Sequence, residues 1–394
     1  GSYNSDARDW DELAYLAPYY LPVMSAGNDG NNNDNPNPME VGYDKLTSNK
    51  TAKNILTVAN AQDAIIDSSG NLTSVLINSS SSQGPSDDKR IKPDITGNGT
   101  NLTSASSTSD SSITTFSGTS MSSPNVAGTL LLLQQHYKNI TNSFMLASTL
   151  KGIACHTADD AGNVGPDAKF GWGLLNAKMG AEAITNNGLK SWISEENLAQ
   201  NQNFLMTVKA TGNEPLIASI TWTDLPGIAN VGNLGENNST PALVNNLDIK
   251  IIKNDTEIYF PWRLGNLPSS FATRTDDNNV DNVEIVKIDA PTADFYTISV
   301  AHKGILATGN QNYSLIITGI RSTFSLISTS DDLELCANQT AVYTFNYKQA
   351  GSFVTNFSAV NLPTGAIASF SPSFLSGDGT VTMTISNLSA VNPG

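Results

Sequence analysis

The residues best suited to chemistry surround Ser120. The segment Phe116–Gly128 reads Phe-Ser-Gly-Thr-Ser-Met-Ser-Ser-Pro-Asn-Val-Ala-Gly and runs directly into the apolar residues Leu130–Leu133. This pattern predicts a helix from Ser120 to about Tyr137. Backbone N–H groups in the first turn of a helix have no intrahelical partner and lie at the positive end of the helix dipole. They can therefore donate to the oxyanion that forms when a serine hydroxyl attacks a carbonyl group.

Two neighbours of Ser120 suit such a role. Gly118 has no side chain and lets another segment of the chain come close, and Pro124 is expected in the first helical turn, where a missing N–H costs little. In isolation, a serine at a helix start most often acts only as an N-cap. The surrounding motif therefore decides between a reactive role and a capping role.

A second candidate group lies upstream. Residues 25–30 read Ser-Ala-Gly-Asn-Asp-Gly, and they follow Leu21–Met24, which predicts a short buried strand. Alone, Asn28 would be interpreted as a turn residue. Its position at a strand end, ahead of Ser120, favours a functional interpretation.

The elements around these residues predict an α/β architecture. Helical spacing of apolar residues extends over Ser5–Tyr19 and Ser143–Ile153, and Ile55–Ala59 predicts a further strand. Helices that alternate with short buried strands indicate a partial parallel sheet with flanking helices. Because the run Leu130–Leu133 is apolar on all sides, the helix that contains it is expected to be buried.

The motifs resemble those of a known family. Gly-Thr-Ser-Met-x-x-Pro followed by x-Val-Ala-Gly is similar to the nucleophile motif of the subtilisin-like serine proteases, the subtilases (peptidase family S8), which also carry an Ala-Gly-Asn motif upstream. Further subtilase-like segments occur in the same order at residues 52–58, 81–85, 92–95 and 171–176. The resemblance covers residues 1–188, the expected C-terminal part of a subtilase catalytic domain.

The resemblance implies roles for individual residues. Ser120 would be the nucleophile that forms an acyl-enzyme, and the Asn28 amide would donate to the tetrahedral oxyanion. The primary specificity pocket and the adjacent substrate-binding surface would be formed by a larger set of small residues, namely Ser25, Ala26, Gly27, Gly118 and Thr119. No cofactor is needed for this chemistry.

A serine nucleophile also needs a histidine base that is oriented by an acid. His136 lies sixteen residues after Ser120 on the same predicted helix, about 24 Å away at 1.5 Å per residue. Neither His156 nor His302 lies in the Gly-His-Gly-Thr setting that subtilases use. In that family both the aspartate and the histidine precede the oxyanion asparagine. We therefore expect them upstream of Gly1, and we expect residues 1–394 alone to be inactive.

The sequence beyond residue 188 changes to an alternating pattern. Period-two segments such as Ile217–Trp222 and Tyr313–Ile317, with turn residues between them, predict an antiparallel β-sandwich at residues 189–322. The segment around Trp222 resembles a jelly-roll domain that follows the catalytic domain in some bacterial subtilases. A third, immunoglobulin-like β domain is expected at residues 323–394, in truncated form.

One loop in the sandwich is rich in hard oxygen donors. Asp276, Asp277 and Asp281 lie close together in the sequence, and such oxygens are the ligands that Ca²⁺ prefers. The spacing is not that of an EF-hand. Because Asp and Asn also favour turns for local reasons, a structural calcium site and a solvated turn remain equal alternatives.

Composition limits the partners. With 21 Lys and Arg against 36 Asp and Glu, the formal charge is −15, which repels nucleic acid and anionic membrane surfaces. No apolar stretch is long enough to span a membrane. Cys155 and Cys336 fall in different predicted domains, so each is expected to be a small buried hydrophobe. Low charge and polar richness favour an exported monomer, secreted or on a bacterial surface.

Two functions fit this sequence. A serine endopeptidase explains Asn28 and Ser120 together. A non-catalytic surface binding or adhesion protein with a degenerate subtilase scaffold explains only residues 190–394. Protein or peptide substrates are expected for the first function.

Overall fold

The computed structural model describes most of the chain. The described residues are 1–34, 37–230, 237–330, 333, 335–336, 339–349 and 353–388. An Asn- and Pro-rich segment at residues 31–38 lies partly outside these ranges, at Asn35 and Pro36. No helix in the described ranges combines the length and the apolar composition needed to cross a bilayer.

The first half of the chain alternates helices and short strands. Its elements are α1 (Ser5–Leu16), β1 (Val23–Ser25), β2 (Leu56–Ala61), β3 (Ile65–Ile66), β4 (Leu72–Ser74), β5 (Ile95–Asn98), β6 (Leu102–Ala105), β7 (Ile113–Phe116), α2 (Thr119–Thr141), α3 (Ala147–His156) and α4 (Ala177–Thr185). Strands β1, β2 and β5 form a parallel sheet with β2 in the centre. Two-stranded hairpins, β3–β4 and β6–β7, follow β2 and β5. The predicted α/β architecture is confirmed.

Helix α2 packs on the parallel sheet through one face only. Val126, Leu130 and Leu133 are buried, at spacings of four and three residues. Leu131 and Leu132 are 69% and 66% exposed, so the expectation of an all-round buried helix was wrong. Each residue turns the helix by about 100°, and therefore four consecutive leucines cannot all face one sheet.

Proline 124 does not lie where the sequence suggested. Helix α2 begins at Thr119 after the N-cap Gly118, which makes Pro124 the sixth helical residue and places it in the second turn. A proline there cannot donate to the carbonyl of Ser120 four residues earlier. That carbonyl therefore lacks its usual helical partner.

The third helix is also displaced from its predicted range. We expected Ser143–Ile153, whereas α3 begins at Ala147. Helix α2 extends to Thr141 and ends at Asn142 in the left-handed region, at φ 62°. The chain then needs several residues to turn before a new helix starts.

The second part of the chain is a two-layer β-sandwich. Its strands are β8 (Ser191–Ala199), β9 (Phe204–Lys209), β10 (Leu216–Thr221), β11 (Asn246–Lys253), β12 (Glu257–Tyr259), β13 (Val283–Ile288), β14 (Phe295–Lys303) and β15 (Asn310–Thr318). They form two four-stranded sheets, ordered β13-β10-β15-β8 and β12-β11-β14-β9. Alternate residues of both sheets share one apolar core, which includes the fully buried ring of Trp222. The predicted antiparallel sandwich is confirmed.

The described residues after position 322 include six further strands. These are β16 (Phe324–Ser328), β17 (Ala341–Gln349), β18 (Thr355–Asn356), β19 (Ile367–Ser371), β20 (Phe374–Leu375) and β21 (Gly379–Ser386). Four form a sheet in the order β16-β17-β21-β19. Cys336 precedes β17 and is exposed, which contradicts the expected buried position, whereas Cys155 in α3 is buried as expected. Neither cysteine is in a disulfide.

Helix α3 joins the two main parts. All ten of its residues are buried. At its end, the two ring nitrogens of His156 lie 2.8 Å from the Ser219 hydroxyl and 2.9 Å from the Thr318 hydroxyl. Both hydroxyls belong to the sandwich, and burial lowers the pKa of His156 to about 3.

This low pKa predicts acid sensitivity. An unfolded chain protonates its histidine near pH 6.5, whereas folded His156 stays neutral to about pH 3. Stability therefore falls as the pH decreases through this window, by about 2 kcal/mol between pH 6.5 and pH 5. Urea unfolding of the parent and of His156→Gln at pH 7 and pH 5 measures this contribution. We expect the parent to lose about 2 kcal/mol more than the variant, and equal losses would contradict the assignment.

Candidate active site

The two candidate catalytic groups lie at the carboxyl edge of the parallel sheet. Asn28 follows the end of β1, and α2 starts with Thr119 and Ser120. Two further serines in α2 fix this helix on strands β1 and β2. Ser122 Oγ donates to the Ala59 carbonyl at 2.7 Å, and Ser123 Oγ donates to the Val23 carbonyl at 3.0 Å. Open α/β sheets bind ligands at this edge.

A closed set of hydrogen bonds ties Asn28 to the helix start. The Thr119 N–H donates to Asn28 Oδ1 at 3.0 Å, and the Thr119 hydroxyl donates to the same oxygen at 3.1 Å. The Gly27 N–H donates to that hydroxyl at 3.2 Å. Backbone and side chain of Thr119 therefore hold both Asn28 and the residue before it.

These bonds set the orientation of the Asn28 amide. A backbone N–H can bond only to the oxygen end of the carboxamide, which assigns Oδ1 to Thr119. Among the described residues, none accepts a hydrogen bond from Nδ2. The N–H groups of the Asn28 amide are thus free to donate to an acceptor. The amide lies beside Thr119, which directly precedes Ser120.

The chain on both sides of this contact is close-packed. A Cβ placed on Gly118 would lie 3.4 Å from Asn28 Oδ1. Beneath it, a Cβ on Gly99 would lie 2.6 Å from the Gly118 carbonyl oxygen and 2.7 Å from Asn60 Oδ1. The Gly118 N–H donates to the Gly99 carbonyl at 2.9 Å. Two glycines thus allow the helix start to rest on β5 and to touch Asn28.

The residues proposed for substrate binding occupy the same edge. Gly27 adopts φ 114°, and a Cβ there would lie 2.8 Å from Ser82 Oγ. Ser25 is half-buried, whereas Ala26 is buried and donates its N–H to the Val58 carbonyl at 2.9 Å. The structure therefore brings Gly27, Asn28 and Thr119 together and turns Ala26 inward.

Charged groups border the site. Lys45 Nζ donates to the Gly30 carbonyl at 2.6 Å. Desolvation lowers the pKa of Lys45, and the nearby Asp29 carboxylate partly opposes that shift. Asp29 itself is exposed and directly follows Asn28. The site thus has one acidic side chain, Asp29, and one basic side chain, Lys45, near Asn28.

The three histidines of the sequence are held elsewhere. His136 Nε2 lies 2.8 Å from the Thr185 hydroxyl, and His302 Nε2 accepts the Asn201 N–H at 2.8 Å. His156 is buried against the sandwich. None of these contacts involves Ser120.

The proposed calcium ligands do not converge. Asp277 is paired with Lys250 and Lys303, each at 2.9 Å. Asp276 is exposed and lies 3.6 Å from an arginine, whereas Asp281 is buried and accepts a backbone N–H at 2.8 Å. Within the described ranges, no group of three or more His, Cys, Asp or Glu side chains could hold a metal ion. The calcium site stays a prediction.

Sequence reasoning missed the residue that organises the site. Thr119 was expected only to border the substrate, but its hydroxyl both accepts from Gly27 and donates to Asn28. The Gly-Thr-Ser order carries this signal, because a threonine at a helix start commonly bonds to nearby backbone. Its partner could not be identified without the fold, since Asn28 is 91 residues away.

Comparison with known proteins finds a family match in the first half of the chain. Residues 1–173 match the model of the subtilase family, Peptidase_S8. This part of the chain is therefore identified by its match to the subtilase family, as its motifs predicted.

Named relatives match over short segments. The chain is 47% identical over 62 residues to the autotransporter lipoprotein NalP of Neisseria meningitidis, which covers 16% of this chain and 5% of NalP. It is 32% identical over 106 residues to an extracellular serine protease of Serratia marcescens, covering 25% of this chain and 9% of that protein. The chain thus matches less than a tenth of the length of either relative.

Solved structures show distant similarity. Fervidolysin from Fervidobacterium pennivorans, a keratinolytic enzyme related to subtilisin, is 13% identical with a TM-score of 0.31, over 98% of this chain and 56% of that one. The self-cleaved protease domain of PatA is 17% identical with a TM-score of 0.33, over 46% of this chain and 55% of that one.

The glycine beneath the helix start predicts a stability difference. A methyl group on Gly99 meets backbone and side-chain atoms at 2.6–2.7 Å, whereas Gly128 in α2 is exposed and has open space around it. We expect Gly99→Ala to destabilise the protein by about 1–3 kcal/mol through overpacking, and Gly128→Ala to stabilise it by up to about 1 kcal/mol. Denaturant unfolding measures both. Equal effects of the two substitutions would contradict the close contact at Gly99.

Proposed function

We propose that the chain is part of a serine endopeptidase that cleaves peptide bonds through an acyl-enzyme on Ser120. The observation that carries the proposal is the contact between Asn28 and Thr119. It places a free carboxamide N–H beside a serine in the first turn of a helix. The family match over residues 1–173 supports the same conclusion.

The available atoms suit acyl transfer. Ser120 Oγ would attack the carbonyl carbon and pass its proton to a base, forming a C–O bond and an oxyanion. Asn28 Nδ2 and the Ser120 N–H, which has no acceptor within the described residues, would donate to that oxyanion. When the C–N bond breaks, the amine leaves with the proton. Water then hydrolyses the ester by the same path.

The base and its acid would come from outside these 394 residues. All three histidines are held away from Ser120, and β1 has a hydrogen-bonded neighbour on one side only among the described strands. A strand that adds to β1 would border Asn28 directly. We propose that such a segment carries the missing aspartate and histidine.

We also propose that the protein is exported and acts on other proteins. The Serratia relative is named extracellular and NalP is named an autotransporter lipoprotein. The acidic, weakly charged composition supports the same location. Proteins or peptides would be its substrates, as for a serine endopeptidase in general.

Residues 189–322 would form a jelly roll. Eight strands lie in two sheets of four, in which β8 pairs with β15 and β9 pairs with β14. Pairing the first strand with the last, and the second with the seventh, is the arrangement expected of two interlocked Greek keys. The division at residues 188 and 322 stays part of this proposal.

Activity of the complete gene product tests the reaction. We expect it to hydrolyse an unfolded protein substrate, and Ser120→Ala to abolish turnover. Asn28→Ala should lower kcat by about 100- to 1000-fold, the loss measured for the corresponding subtilisin residue. Asn142→Ala, at the far end of α2, is the matched control and should retain full kcat. Turnover that survives Ser120→Ala would contradict the role of Ser120, and a parent protein without turnover would favour a binding protein on a degenerate scaffold.

Residues 1–394 alone should be inactive. Without a base, Ser120 is a poor nucleophile at neutral pH. A fluorogenic peptide assay on purified 1–394, with Ser120→Ala as background, measures this directly. Equal rates are expected, and a rate that depends on Ser120 would show that a base exists within the chain.

A further inference from the structure

A second support holds the loop that carries Asn28. The Ser82 N–H donates to the Gly27 carbonyl at 2.9 Å, and the Ser82 hydroxyl accepts the Asp29 N–H at 3.0 Å. One serine therefore binds the chain on both sides of Asn28. Its bonds are separate from those of Thr119, which holds the Gly27 N–H and the Asn28 carboxamide from the start of α2.

The two bonds of Ser82 determine how the Asn28 side chain leaves the backbone. The Gly27 carbonyl belongs to the peptide group before the Asn28 Cα, and the Asp29 N–H belongs to the peptide group after it. Each peptide group is planar, so the backbone at one residue rotates only about φ and ψ. Binding both planes to one serine restricts both rotations. Ser82 thus sets the direction of the Asn28 Cα–Cβ bond, while Thr119 orients the carboxamide at the end of the side chain.

Ser82 packs directly against this loop. Its side chain is buried, and a Cβ placed on Gly27 would lie 2.8 Å from Ser82 Oγ and 3.4 Å from Ser82 Cβ. The missing side chain at Gly27 is therefore what allows the serine to approach. The contact leaves no room for a group between the serine and the residue that precedes Asn28.

The turn before Ser82 is also held by hydrogen bonds. Asn78 Oδ1 accepts the N–H and the hydroxyl of Ser80 at 3.0 and 2.8 Å. The Ser80 carbonyl in turn accepts the Gly30 N–H at 2.9 Å. Asn78 Nδ2 donates to Thr100 Oγ1, beyond the end of β5, at 2.9 Å. This turn thus presents Ser82 from a fixed position and also holds the loop beyond Asn28.

We propose that Ser82 is a positioning residue of the oxyanion site, which holds the backbone of Asn28 so that its carboxamide N–H meets the developing oxyanion. This role rests on the proposed function, because it requires that Asn28 donate to an oxyanion. A displaced donor loses its hydrogen bond chiefly in the transition state, when charge develops on the oxygen. Loss of Ser82 should therefore lower kcat and leave KM almost unchanged.

A double-mutant cycle in the complete gene product tests this role. Ser82→Ala removes the acceptor of the Asp29 N–H and keeps the backbone bond to Gly27. We expect kcat per titrated active site to fall by about 10-fold, with KM changed by less than about 2-fold. In an Asn28→Ala background, the same substitution should lower kcat by less than about 2-fold, because the group that Ser82 positions is absent.

Ser81→Ala is the matched control. Ser81 is as buried as Ser82, and its hydroxyl likewise accepts one backbone N–H, that of Asn60 in β2, at 3.0 Å. Each substitution leaves one backbone N–H without its acceptor, so the temperature of thermal unfolding should fall by similar amounts in both variants. Only Ser82→Ala should lower kcat, and Ser81→Ala should stay within about 2-fold of the parent.

The pattern of losses decides the outcome. Equal losses of kcat in the parent and Asn28→Ala backgrounds would mean that Ser82 acts through general packing, and would overturn the proposal. Full kcat in Ser82→Ala would overturn it too. A parent without turnover that depends on Ser120 would contradict the proposed function, and the positioning role with it. If Ser82→Ala does not fold, Asn78→Ala loosens the same turn, and its loss of kcat must likewise disappear in the Asn28→Ala background.

Discussion

The contact of Thr119 with Asn28 is the constraint on which the candidate site depends. One residue donates twice to a single carboxamide oxygen and also receives the Gly27 N–H. This arrangement leaves the nitrogen of the carboxamide free and holds it beside the first turn of α2. A helix start alone or a strand-end asparagine alone would supply only half of an oxyanion hole. Their convergence requires that α2 rest directly on the sheet, which glycine at position 99 permits.

The parallel sheet that presents these groups is narrow, and most of its support comes from elsewhere in the chain. Helix α2 covers one side of it, while α3 connects it to the sandwich. The buried ions Lys53 and Asp94 precede β2 and β5, opposite the edge that carries Asn28. Lys151 of α3 reaches the same end of the sheet, where it contacts Asp94. The molecule thus separates a rigid, polar, fully bonded edge from an open edge that holds exposed reactive groups. The proposed acyl transfer would need such a separation, because a nucleophile must be held precisely by a rigid support.

Sequence reasoning could single out the candidate site residues because their signals are local. Ser120 and Asn28 stand in short motifs, and α1, β1, β2 and the strands of the sandwich follow from periodicity. Properties that depend on distant partners were not predictable. Periodicity could not show that Leu131 and Leu132 face outward, since that depends on where the sheet lies. Likewise, the sequence around Asn54 does not show which residue it contacts. Its partner Asp224 is 170 residues away in the chain, and only the fold brings the two together.

The central claim is that Ser120 and Asn28 act on one carbonyl group. A structure of the complete gene product with a peptide boronic acid tests it most directly, because the boron imitates the tetrahedral intermediate. The account predicts a covalent bond from Ser120 Oγ to boron, with one boronate oxygen within hydrogen-bonding distance of Asn28 Nδ2. A boronate that bonds to another residue, or one whose oxygens all lie beyond the reach of Asn28, would contradict it.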